Sequence, residues 1–219
     1  MPSKPTSAPA FAGATAEPSG YPDIRDPRVM VAVPRARREA LAVLWALAER
    51  LTKLLADARE PMIGQIKLAW WRDMAGLLAS DPAALPKGEP LLAELQRSWA
   101  GRGGLDALVD AAEAVLLVED AAARTAAGAA FGEALFALSG GAGGARWGLV
   151  WLAGQQETAD AAAQLFRDAC NRAAPPRGLL GSKALLMLDR WSAAIAARGG
   201  ERRWRSEGLL LFRIGLTGL

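Results

Sequence analysis

Apolar residues recur at steps of three and four along most of this chain. Leu41, Leu44, Trp45, Ala48, Leu51 and Leu55 fall on one helical face, with Arg38, Glu39, Arg50 and Lys53 largely elsewhere. Pro61, favoured in a first turn, opens a second helix with Ile63, Ile66, Trp70, Met74 and Leu77 on one stripe. A short helix carries Leu91, Leu92, Leu95 and Trp99 and closes at Gly101, Gly103 and Gly104. A longer one begins with Leu105, Leu108, Val109, Ala112, Val115 and Leu116. Phe131, Leu135 and Leu138 lie on a helix that stops at Gly140 and Gly141. Thr158 is placed to cap the helix of Leu165, Phe166 and Ala169, which Pro175 and Pro176 end. Ser182 does the same for Leu185, Leu188, Trp191 and Ile195, and a last helix runs through Leu209, Phe212 and Leu216. Alternating β-branched segments and fixed-period repeats are absent, so the pattern predicts an all-α fold, one helical-bundle domain of about eight or nine helices over residues 28–219.

Residues 1–27 differ in kind. They are rich in Pro, Ser, Ala and Gly, carry little charge and show no helical period, so burial there could not offset ordering entropy. They read as a tail outside the domain. Lys4 is the only early positive charge and no continuous apolar run follows, which fits neither a secretory signal nor an Arg-rich presequence.

Composition removes several chemistries. The 219 residues include no His, which excludes Ser-His-Asp and Cys-His catalysis and any His-ligated metal. A single Cys170 excludes an internal disulfide framework; it sits on the apolar side of its helix and reads as a small core residue. The net charge of +3 is too mild to imply nucleic acid, and no such partner is expected. Apolar runs such as 185–188 and 209–212 fall far below the roughly 18 to 20 residues of a spanning helix. The expected location is cytoplasmic, at most peripheral on the inner face of a membrane.

The sharpest local motif is Arg59-Glu60-Pro61-Met62-Ile63-Gly64-Gln65-Ile66-Lys67-Leu68-Ala69-Trp70-Trp71-Arg72-Asp73, entered from the helix of Arg37 and Arg38. It resembles a string typical of the squalene/phytoene synthase family, above all the divergent branch that includes the mitochondrial assembly factor of respiratory complex I. The resemblance is strongest over residues 37–73 and extends weakly through 105–138 to the segment around Leu185. It implies an isoprenoid synthase fold over 28–219, with Arg59, Glu60, Pro61, Gly64, Trp70 and Trp71 as its structural signature. Read physically, Trp70 and Trp71 pack on neighbouring helix faces, Gly64 is a close-approach point between helices, and Glu60 beside a helix start suits the macrodipole.

The family's enzymes join prenyl diphosphates on magnesium held by two facing helices, each with carboxylates at i, i+4. Where the resemblance would place the first acidic motif, this chain reads Ala48-Glu49-Arg50-Leu51-Thr52-Lys53-Leu54-Leu55-Ala56-Asp57, and Lys53 opposes a cation. The second motif has no counterpart: residues 140–154 hold no acid, and the segment is short for a cavity wall. Asp106 and Asp110 have the spacing but no facing pair, so they read as weak acidic candidates on a solvated face or as charge complements to a helix start; Glu113, Glu119 and Asp120 could extend the strip.

No catalytic residue, metal ligand or cofactor is therefore expected. The expected function is that of a non-catalytic binding or assembly factor, its protein partner a respiratory complex I subunit by resemblance. The alternatives are a magnesium-dependent prenyltransferase using Asp57, Asp106, Asp110 and Glu113, or a pseudoenzyme that holds a prenyl lipid. Arg35, Arg37 and Arg38, and again Arg198, Arg202, Arg203 and Arg205, offer phosphate or partner contact; the simpler reading of both clusters is solvated helix ends. Trp204 among the arginines favours peripheral membrane contact over nucleic acid.

Overall fold

In the computed structural model, residues 21–58 and 60–218 are described, and among them there are ten α-helices and no strand. They are α1 (Pro27–Met30), α2 (Arg38–Asp57), α3 (Pro61–Ser80), α4 (Pro90–Trp99), α5 (Leu105–Leu117), α6 (Ala121–Leu138), α7 (Ala145–Ala153), α8 (Ala159–Asn171), α9 (Lys183–Ala196) and α10 (Trp204–Thr217). The all-helical architecture matches the periodicity. The count exceeds the expected eight or nine by the short turn of α1 and by α7.

Capping follows the side chains available. Thr158 and Ser182 accept from the backbone amides of Ala161 and Leu185 at 3.3 and 3.2 Å, satisfying donors that an α-helix start leaves free. Asp120 does this for α6 at 2.7 Å. At its far end, α6 stops at Gly140, whose φ of +87° only glycine adopts without cost.

The centre is built on α7, which packs on α6, α8 and α9. Every residue from Arg146 to Ala153 is buried, so this helix has no polar face, and its nine residues carry no amphipathic period for a sequence to display. Trp147 and Trp151 project from it into an aromatic cluster. Trp147 meets Trp45 of α2 edge-on at 5.1 Å, and Trp151 stacks on Phe131 of α6 at 4.2 Å. Each buried indole N–H is satisfied: Trp45 donates to Ser139 Oγ at 3.1 Å, Trp147 to the Pro22 carbonyl at 2.7 Å and Trp151 to Thr52 Oγ1 at 2.9 Å.

The Trp147 bond corrects the expected domain boundary. Ile24 is fully buried, Tyr21 meets Trp147 edge-on at 5.7 Å, and Arg25 bridges Asp23 and Glu49. Residues 21–27 belong to the folded domain because they seal one side of the aromatic cluster; residues 1–20 lie outside the described residues. Cys170 is also corrected. It is exposed, since α8 buries Leu165 and Ala169 and turns Cys170 the other way.

Candidate functional site

The α3 signature divides between two faces. Of the expected stripe of Ile63, Ile66, Trp70, Met74 and Leu77, only Met74 is buried; the face that meets the core carries Gly64, Leu68, Trp71, Met74 and Leu78. Gly64 explains the choice. A Cβ at this position would stand 2.8 Å from Leu116 Cδ2 of α5 and 3.0 Å from Ala58 Cβ, so the glycine face admits the closest approach and α5 takes it. Trp71 is core, whereas Trp70, edge-on to it at 5.0 Å, is at the surface. Met62, Ile66 and Trp70 stand one turn apart along α3 and are 71%, 65% and 37% exposed, with Ile63 exposed beside them. Glu60 and Pro61 begin the helix, Glu60 at the N-cap without a side-chain cap bond. Arg59 lies outside the described residues.

The acidic candidates do not converge. Asp110 pairs with Arg72 of α3 at 2.6 Å, and Glu113 takes the same guanidinium, which their hydrogen bonds push above the usual arginine range. Asp106 is exposed in the first turn of α5, Asp120 caps α6, and Asp57 is exposed at the end of α2. Among the described residues no group of three or more His, Cys, Asp or Glu is placed to hold a metal ion. The cation that Asp110 and Glu113 hold is the protein's own Arg72.

The basic clusters serve partly internal roles. Arg37 Nη2 donates to the Ser139 carbonyl at 2.9 Å, complementing the C-terminal end of α6, and Arg38 Nε donates to the Val33 carbonyl at 3.0 Å. Arg35 is exposed. Arg202 pairs with the fully buried Glu207 at 3.0 Å, and Arg203 pairs with Glu201 at 3.1 Å. Burial works against the Glu207 charge, but hydrogen bonds from Arg202, Trp191 and the Arg203 amide outweigh it and hold the carboxyl below the usual glutamate range. The sequence signal for this knot is an acid in the first turn of a helix, Glu207, whose carboxyl can reach back to the free amide of the N-cap residue Arg203.

A buried ion pair escaped the sequence reading altogether. Arg146 Nη1 donates to both oxygens of Asp189 at 3.0 Å, Nε donates to the Ala169 carbonyl at 3.2 Å, and Nη2 donates to the Arg172 carbonyl. One guanidinium thus joins α7, α8 and α9. Burial raises the Asp189 carboxyl above its ordinary value, against the pull of Arg146 and Arg190. The partners are 43 residues apart, a distance over which no local pattern speaks.

A cleft of about 520 Å³ opens between α2, α3, α5, α6, α7 and α8. Leu55, Pro61, Val115, Leu116 and Leu152 line its apolar side, and Arg124 stands on its wall with Nη2 donating to the Val118 and Glu119 carbonyls, both at 3.3 Å. No carboxylate pair faces another across it: Glu157 is the acid in its lining. Compared with known proteins, the chain matches no family model, no curated protein and no solved structure.

Proposed function

We propose that this chain is a non-catalytic binding or assembly factor that works through its surface. The observation that carries the reading is the filled centre: Trp45, Phe131, Trp147 and Trp151 occupy the middle of the bundle in mutual contact. Prenyl transfer needs a hollow for two hydrocarbon chains and a metal-held leaving group above it, so aromatic rings packed at the centre and α5 acids engaged with Arg72 support the non-catalytic reading. Exposed apolar side chains in a row on the outer face of a surface helix are a common mark of a protein-docking surface, and Met62, Ile66 and Trp70 form such a row. The likeness of the α3 string to the squalene/phytoene synthase family extends the reading to its partner, a subunit or assembly intermediate of respiratory complex I. Fold alone would not license that step.

The test is binding of a purified complex I assembly intermediate to the full chain and to Ile66→Asp and Trp70→Asp. Both substitutions are expected to weaken binding at least about tenfold, as loss of a central apolar anchor does; Ile66→Asp should melt as the parent does, and Trp70→Asp should stay folded with a lower melting temperature because its ring also packs on Trp71. Trp71→Ala is expected to cost about 3 to 5 kcal/mol of stability, because its ring is in the core. Undiminished binding by both surface variants, or no binding by the parent chain, would contradict the proposal.

A second reading, a pseudoenzyme that holds a prenyl or other lipid tail without turning it over, has the apolar side of the cleft in its favour. Solvent extraction of the purified chain would reveal such a lipid.

A further inference from the structure

We propose that the outward face of α10 docks on an anionic lipid surface. The helix has two apolar faces of different fate. Leu211 and Ile214 are buried with Glu207 against the bundle, where α10 packs on α9 and α1. Leu209, Phe212 and Leu216, at i, i+3 and i+7, point away from it and are 70%, 65% and 68% exposed.

Charge selects the occupant. Arg205 and Arg213 are exposed on the same side of the helix, and Lys183, also exposed, donates to the Gly215 carbonyl near its end at 2.8 Å. Trp204 at its start is half-exposed, with the Arg202 guanidinium 4.3 Å from its ring centre. The single carboxylate of α10, Glu207, is buried beneath Trp191 and Arg202. Just before the helix, Glu201 is paired with Arg203. The outward face therefore joins apolar rings to cations without a carboxylate of its own, the composition that places a helix in the headgroup layer of an anionic bilayer. The exposed row of α3 lacks this bias, since Glu60 and Asp73 stand beside Lys67 there. Among the described residues no helix is long and apolar enough to cross a membrane, so contact through α10 is with the surface.

This inference deepens the proposed work of the chain beside a respiratory complex, and its readout is lipid alone, so it can fail or hold independently of the protein partner. The full chain is floated with phosphatidylcholine vesicles and with vesicles carrying about 30% phosphatidylglycerol. Partition is expected to be at least about tenfold stronger on the anionic vesicles, given two or three cations near the surface. The variant with Leu209→Ser and Phe212→Ser is expected to lose at least tenfold of it, and that with Arg205→Glu and Arg213→Glu to lose the preference for anionic lipid. Trp70→Asp should float as the parent does. Equal partition on both vesicles, no flotation, or undiminished flotation of the α10 variants with unchanged circular dichroism would each overturn the proposal. So would weakened binding of the complex I intermediate by the α10 variants where the parent does not float, since α10 would then face protein.

Discussion

Asp189→Ala is expected to lower the unfolding free energy by about 3 to 5 kcal/mol, the range for removing one member of a buried ion pair. The cost comes mainly from what is left behind. Arg146 would remain a buried cation, keeping its carbonyl partners Ala169 and Arg172 but losing both carboxylate oxygens. Because that guanidinium ties α7 to α8 and α9, the loss would fall on the central helix of the fold. Urea unfolding followed by tryptophan fluorescence measures it, and a change below about 1 kcal/mol would mean that the pair is solvated and not structural. Replacing Arg146 and Asp189 together by Met and Leu should cost less than Asp189→Ala, since no charge is then stranded.

Gly148→Ala is expected to destabilise the chain by about 2 to 3 kcal/mol although alanine is the better helix former by about 1 kcal/mol. A Cβ at Gly148 would stand 2.1 Å from the Gly128 carbonyl oxygen, and one at Gly132 would stand 2.2 Å from the Gly144 carbonyl oxygen and 2.7 Å from the Gly148 nitrogen. These are backbone atoms on two crossing helices and cannot step aside. The α6–α7 seam would have to open, and opening it would part Phe131 from Trp151. Gly76→Ala is the control: nothing lies within 4 Å of its added Cβ, so only the propensity gain of roughly 1 kcal/mol should appear. Equal effects at the two sites would mean that the seam is not closely packed.

Local rules made much of the fold legible and little of the site. Leu44, Trp45, Ala48 and Leu51 lie on the face of α2 that their spacing indicates, and Thr158 and Ser182 cap the helices they precede. What failed were choices made by tertiary contact. Helix α3 offers two apolar stripes, and the periodicity of Ile63, Ile66 and Trp70 is no weaker than that of Leu68, Trp71 and Met74; the absent side chain of Gly64 decides between them. Helix α7 is invisible because burial on all sides erases amphipathic period. Residues 21–26 are too short a run to show a period, and what anchors them is distant: the Pro22 carbonyl accepts from Trp147, 125 residues away, and Tyr21 packs edge-on against the same ring. The arginines after Gly200 read as a basic cluster, and the buried Glu207 that gathers Arg202 and the Arg203 amide emerges once the chain folds back over Trp191.

Calorimetric titration of the full chain with farnesyl diphosphate, with and without magnesium and coupled to detection of released pyrophosphate, separates a filled bundle from a working active site most directly. With tryptophans in the centre and Arg72 on the α5 acids, no magnesium-dependent binding and no pyrophosphate release are expected. Magnesium-dependent binding accompanied by pyrophosphate release would contradict the non-catalytic reading outright.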